Sequence, residues 1–285
     1  MFLLLAGPTA APANTLAIFR TSLGPMAVEL FDEDKPVTVY NFIRLARFGA
    51  YRNTFFHRCE TGFVAQAGGF VTASAASTNA FPGNYSPTFS FGAISNEYAV
   101  GPVISNTFGT IAMAKVSGQP DSATSQFFFN LNDNSVTLAP PNNGGFTVFG
   151  RVIAGSNVLH QLMSRTLTEG LLSVTDTVRN VVFPTLPVTY SGDRMPQINE
   201  LIYTGIEIMR LIIQPQPDES RLLAWNSPTG LVCHVEYRDD ATAATWDSLY
   251  VTNGNGQVQA ILDDDPPPAA RQYRIRVTIP EEPVP

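Results

Sequence analysis

The sequence predicts a mainly β protein: a closed barrel with helices over its ends, followed by a small β-sandwich. Three features of the 285 residues carry this expectation. Short apolar runs that alternate with polar residues dominate the chain, the pattern of half-buried strands. Only two stretches keep apolar residues at helical spacing, both before residue 170. After "QPQPDES" (214–220) come five short alternating runs separated by turn residues. The expected organisation is an N-terminal arm over 1–14, a barrel domain over 15–213 and a sandwich over 214–285.

Taken in order, "TLAIFRTSLGPMAVELFD" (15–32) reads as a hairpin, two alternating runs flanking Leu23-Gly24-Pro25. "DKPVTVYNFIRLARFGAY" reads as a helix: Pro36 suits its first turn, and Val39, Phe42, Ile43, Leu45 and Ala46 form an apolar stripe. Residues 53–66 read as strand, turn, strand. The stretch 71–92, "VTASAASTNAFPGNYSPTFSFG", has no period and is expected to be a long loop. "GTIAMAK", "SQFFFNL" and "FTVFGRVI" are three short strands. "SNVLHQLMSR" is a second helix, with Ser156 as N-cap, and "NELIYTGIEIMRLII" is the closing strand. Strands with two helices and Gly-rich turns suggest a barrel with covered ends. In the last domain "RLLAWN", "LVCHVEYR", "SLYVT", "QVQAIL" and "RQYRIRVTI" are the strands, parted by turns at Ser227-Pro228, Asn253-Gly254 and 263–268.

Composition excludes several function classes. Apolar residues make up 44%, ample for a core, whereas charged residues are only 14% and the net charge is −7. A net-negative chain without a basic cluster is not drawn to nucleic acid or to an anionic membrane. Cys59 and Cys233 fall in different predicted domains, so no disulfide is expected, and three scattered histidines provide no metal site and imply no cofactor. No segment reaches the roughly 18 uninterrupted apolar residues of a membrane span. The start, "MFLLLAGPTAAPAN", carries an Ala11-Pro12-Ala13 stretch like a signal cleavage site. It lacks a basic residue before the apolar run, and that run is short for a signal. A shortened export signal and a frayed apolar arm both fit.

The stretch "FFHRCETGFVAQAGGF" (55–70) is the chemical puzzle. It sets Arg58 among aromatics, with Gln66 eight residues on, yet offers no serine and no carboxylate pair, and its one thiol, Cys59, has no activating base beside it except His57. Period-2 alternation puts Arg58 on the face opposite His57 and Cys59, so Cys59 is expected to be an inert core thiol. In "SQFFFN", Gln126 and Phe128 share one face while Phe127 and Phe129 fill the core.

Four pieces, "FFHRCETGFVAQAGG", "GTIAMAK", "SATSQFFFNL" and "NGGFTVFGRVI", resemble in order and spacing the cyclophilin family of peptidyl-prolyl cis-trans isomerases, over about residues 15–210. The resemblance implies an eight-stranded closed barrel capped by two helices, activity on Xaa-Pro bonds, and proline-containing peptides and folding proteins as partners. It implies Arg58 as catalytic donor and Gln66 as the group that orients the substrate backbone. Phe63, Val64, Phe128 and Leu138 would form the prolyl pocket. Ala114 and Lys115 would bind the peptide main chain, Gln126 would support the floor and Phe146 would close one side. His57 matches the motif and is expected to be buried and hydrogen-bonded, not acid-base. Several positions depart from the family: Val64 stands for a methionine, Lys115 for an asparagine and Phe146 for a histidine. "QAGGF" lacks the acid of "GGDF", and Thr137 stands where a tryptophan precedes the pocket leucine, implying weak cyclosporin binding at most. The C-terminal piece is similar, through Trp225, "VEY" and "QYRIRV", to fibronectin type III modules. Low charge, the apolar N-terminus and this module favour export. The competing expectation is a proline-peptide scaffold or surface interaction protein without useful turnover.

Overall fold

The computed structural model describes residues 14–166, 169–190, 192, 194–264 and 271–280; most of the expected N-terminal arm lies outside them. The described residues are mainly β with two helices. They form two compact units, the described residues of 17–208 and a second made of 14–16 with the described residues of 209–280.

In the first unit, β1 (Thr15–Thr21) and β2 (Gly24–Leu30) form the expected hairpin, with Thr21 Oγ1 donating to Gly24 O at 2.6 Å inside the turn. Helix α1 (Pro36–Phe48) starts at its proline and ends at Gly49, whose φ of +82° closes the last turn. Its first amides are capped from afar: the Glu97 carboxylate accepts from Val37 N at 3.0 Å and Thr38 N at 2.7 Å. Next come β3 (Thr54–Phe55), β4 (Arg58–Glu60), β5 (Val64–Ala67), β6 (Phe70–Thr72), β7 (Tyr85–Pro87), β8 (Thr110–Met113), β9 (Phe127–Asn130) and β10 (Val148–Ala154). Helix α2 (Asn157–Met163) follows, then β11 (Leu171–Asp176), β12 (Val181–Pro187) and β13 (Tyr203–Arg210).

Eleven strands pair in the order β4-β5-β9-β8-β10-β2-β1-β13-β3-β6-β7. This corrects the expected closed eight-stranded barrel: among the described residues the row is open, with ends at β4 and β7. The reason lies at Phe56-His57. Phe56 N donates to Ile202 O (2.9 Å) and His57 N to Gln66 O (3.0 Å). The segment therefore splits, its first half pairing with β13 and its second with β5. The supposed loop 71–92 also contains β7, paired with β6 through Val71↔Ser86. Ser156 occupies the N-cap position of α2, but its side chain makes no capping bond.

The core follows the strand period. Phe19, Phe42, Tyr51, Phe127, Phe129 and Phe149 pack in one cluster beneath α1, held by burial worth roughly 1.5–3 kcal/mol for each large side chain. Phe128 points the other way, to a second cluster with Val64, Ala112, Leu138 and Val148. A third, aromatic cluster joins Phe55, Phe81, Tyr85 and Phe183 beside the β11–β12 hairpin.

The second unit holds β14 (Ile212–Pro215), β15 (Arg221–Asn226), β16 (Val232–Arg238), β17 (Asp247–Asn253), β18 (Val258–Asp263) and β19 (Gln272–Thr278). They form two three-stranded sheets, β14-β15-β18 and β17-β16-β19. All five expected runs are strands. The expected boundary at 214 falls inside β14, because Gln214 and Pro215 pair with Leu222 and Arg221. Trp225, Cys233, Val235 and Ile275 are buried. Asp263 accepts from Arg271 Nη1 (2.9 Å) and Tyr273 Oη (2.6 Å), tying β18 to β19. No helix among the described residues is long and apolar enough to cross a membrane.

Candidate active site

The site is a row of register partners on one face of the sheet. Arg58 pairs with Gln66 between β4 and β5, Gln66 with Phe128 between β5 and β9, and Phe128 with Ala112 between β9 and β8. Directly opposed residues point to the same face, so alternation alone brings a guanidinium, an amide and an aromatic ring side by side. The side chains connect as well: Arg58 Nη1 donates to Gln66 Oε1 at 3.2 Å, and Gln66 Nε2 to Gln126 Oε1 at 2.7 Å. Glu60, two residues along β4 and on the same face, accepts from Arg58 Nε (2.9 Å) and Nη2 (2.5 Å). Three of the five guanidinium N–H groups are thereby used. One on each of Nη1 and Nη2 has no partner among the described residues.

Arg58 borders a cavity of about 220 Å³. Phe63, Val64, Gln66, Ala114, Lys115, Phe128, Leu138, Asn142 and Phe146 line the rest of it. The structure thus gathers nine of the residues singled out from sequence, Arg58 included, around one space. Gln126 lies beside it, in an adjoining cavity of about 100 Å³ shared with Gln66 and Lys115. Phe146 meets Phe128 edge to face at 5.9 Å between centroids, and Val64, Phe128 and Leu138 are almost wholly buried. Leu138 is held by its own loop, its N–H donating to Asn134 O and its carbonyl accepting from Phe146 N.

Lys115 and His57 have further surroundings. The Lys115 side chain lines the cavity with its ammonium bonded to the neighbouring loop. Its Nζ donates to Asn143 O at 2.7 Å and Gly145 O at 2.5 Å and lies 4.6 Å from the Phe146 ring centroid. Burial lowers its pKa to about 8. His57 is buried, against Phe70 edge to face, but its Nδ1 has no hydrogen-bond partner among the described residues. Desolvation pulls its pKa down to about 4, opposed by the Phe55 carbonyl and the Gln126 side chain, acceptors that favour the protonated ring. It is a neutral structural ring. Cys59 is fully buried and burial pushes its thiol up to about 12, the inert state alternation predicts.

Sequence reasoning missed two residues. Glu60 was visible only as the acid nearest Arg58, and its i, i+2 spacing on a strand was the available signal. Asn142 donates through Nδ2 to Thr137 O at 2.8 Å; its place on the rim depends on the path of an irregular loop and had no sequence signal.

Comparison with known proteins agrees with the geometry. The family description "Cyclophilin type peptidyl-prolyl cis-trans isomerase/CLD" matches residues 16–182. A peptidyl-prolyl cis-trans isomerase of Acinetobacter baylyi is 38% identical over 152 residues, 53% of this chain and 73% of that protein. Peptidyl-prolyl cis-trans isomerase B of Escherichia coli K12 is 35% identical over 150 residues, 52% of this chain and 83% of that protein. A solved cyclophilin-type isomerase of Cryptosporidium parvum, obtained in the presence of the dipeptide Ala-Pro, has a TM-score of 0.44 at 24% identity, covering 68% of this chain and 98% of that one. With more than half its length matched by the family, and with Arg58, Gln66 and Phe128 in register beside an aromatic pocket, the chain belongs to the cyclophilin-type peptidyl-prolyl cis-trans isomerases.

Proposed function

We propose that this chain accelerates rotation about Xaa-Pro bonds in peptides and folding proteins, with Arg58 as the donor to the twisted amide. Rotation about C–N loses amide resonance, a barrier of about 18–20 kcal/mol, and needs no nucleophile. As the bond twists, the prolyl nitrogen recovers its lone pair. A guanidinium N–H aimed at that nitrogen, or at the prolyl carbonyl, therefore binds the twisted form better than the planar one. The observation that carries this reading is the Arg58 guanidinium, tethered by Glu60 and Gln66 with two N–H groups to spare, at the edge of an apolar cavity.

Phe63, Val64, Leu138, Phe128 and Phe146 take the prolyl ring and exclude water, which would otherwise favour the planar, more polar amide. Gln66 and the main chain near Ala114 align the substrate backbone, and Gln126 holds Gln66. Shortening tens of seconds to under a millisecond is roughly a 10⁵-fold gain, about 7 kcal/mol. A charge-assisted hydrogen bond in a desolvated site supplies about 2.7–4 kcal/mol of this, the remainder falling to water exclusion and alignment in the pocket. The test is exchange NMR on a short Xaa-Pro peptide: cis–trans exchange should quicken with the protein present. Tight binding without faster exchange would favour the scaffold reading.

The two sheets of the second unit support a fibronectin type III-like module that contacts a partner. Low charge and the apolar start of the chain support export, which fractionation of the producing cell would test.

A further inference from the structure

The cavity wall at residues 142–146 contains no more regular structure than one short turn, yet it carries Phe146 into the pocket. Two side chains from outside the loop hold it. Lys115 Nζ donates to Asn143 O and Gly145 O at 2.7 and 2.5 Å, with its charge 4.6 Å from the Phe146 ring centroid. Asn96 Nδ2 donates to Gly144 O at 2.9 Å and Gly145 O at 3.2 Å. Asn143 Nδ2 returns a bond to Val116 O at 2.9 Å, next to Lys115. Gly145, at φ +75°, lets the Tyr98 ring in so closely that a Cβ there would lie 2.5 Å from it. Three successive carbonyls are thus gripped just before Phe146.

Resting on the reading of this cavity as the prolyl pocket, we propose that Lys115 is a positioning residue: its ammonium clamps the carbonyls of Asn143 and Gly145 and so sets how far Phe146 stands from Phe128. The chemistry favours a cation. An ammonium offers three donors, two of which satisfy carbonyls, while the charge is attracted to the ring face. A neutral amine keeps weaker donors and loses that attraction. Burial, opposed by Asp121, brings its loss of charge down to about pH 8. The other charged or titratable groups that face it are Arg58 with its partner Glu60, across the cavity, and Tyr98 behind Gly145. The clamp is therefore closed below about pH 8 and released above it.

The experiment uses the full chain, an Ala-Pro-containing tetrapeptide and exchange NMR at several substrate concentrations. Lys115→Met is expected to raise KM about ten-fold while kcat falls less than about three-fold, the split expected when ground and transition states lose the same pocket wall. Lys115→Arg, charged at every pH used, should restore most of the affinity. Wild-type kcat/KM should decline as pH rises through about 8, whereas Lys115→Arg should stay level. The Phe146 ring resonances give a readout independent of turnover and should shift with the same midpoint in the wild type and not in Lys115→Arg. An unchanged KM in folded Lys115→Met, or the same alkaline decline or ring titration in Lys115→Arg, would overturn the clamp. No turnover by the wild type at any pH would instead defeat the isomerase reading, leaving the ring titration to decide the clamp.

Discussion

Arg58 and Gln66 face each other across β4 and β5 and are bonded side chain to side chain, Nη1 to Oε1, at 3.2 Å. Backbone register and side-chain contact therefore specify the same pair. Gln66 is itself held by Gln126, so the guanidinium is presented on a short hydrogen-bonded relay and little reorganisation remains to be done in the transition state.

Replacing Arg58 with alanine should lower turnover by roughly one to three decades, about 2.7–4 kcal/mol being the upper guide for a lost transition-state donor. The thermal midpoint should barely change, because the guanidinium is about one-third exposed and its pair with Glu60 is open to solvent. Peptide exchange and a melting curve check this, and undiminished turnover in the folded variant would exclude the mechanism.

The two units should be separable. A chain ending at Leu211, between β13 and β14, should fold and isomerise peptides. A cut at 213 would leave part of β14 without its partner β15. Circular dichroism and exchange NMR on the shortened chain test this; an unfolded or inactive product would make the second unit part of the enzyme.

Cyclosporin should inhibit at least about ten-fold more weakly than it does a cyclophilin with tryptophan before the pocket leucine. Thr137 is exposed and supplies no indole N–H, a loss of about 0.5–1.5 kcal/mol before lost aromatic contact is counted. Val64 in place of methionine removes further packing, about 0.8 kcal/mol per methylene-sized group. Parallel titrations against such a cyclophilin decide it, with equal potency as the contrary result.

Acid should destabilise the protein through His57. Its imidazole is held neutral by burial down to about pH 4, whereas in an unfolded chain it takes up a proton near 6.5. The unfolded state therefore binds more protons between these values, and the stability due to neutral His57 is lost as pH falls from about 6.5 towards 4, on the order of 3 kcal/mol in all. Denaturant titrations should show a shallower slope in His57→Gln over this window. His234, also lowered by burial, contributes equally to both proteins, so the difference isolates His57. Identical slopes would show that His57 is protonated in the folded state.

What the sequence determined by itself was local and periodic. A period of two sorted Arg58 from Cys59 and Phe128 from Phe127 and Phe129. Pro36 marked the first turn of α1 and an apolar stripe its buried face, while its end at Gly49 came from the structure. The order of four motifs pointed to the pocket residues even where Val64, Lys115 and Phe146 departed from the family. Tertiary structure decided what depends on distant partners. Strands β6 and β7 are three residues each, too short to show a period, and exist through pairing, β6 with β3 and β7, and β7 with β6. The split at Phe56-His57 arises because two adjacent amides find acceptors on different strands. Glu97 caps α1 from 59 residues beyond Thr38, and Lys115 bonds the Asn143 and Gly145 carbonyls because the loop brings them within reach. Alternation specifies which face a side chain takes; only the packed chain specifies what stands in front of it.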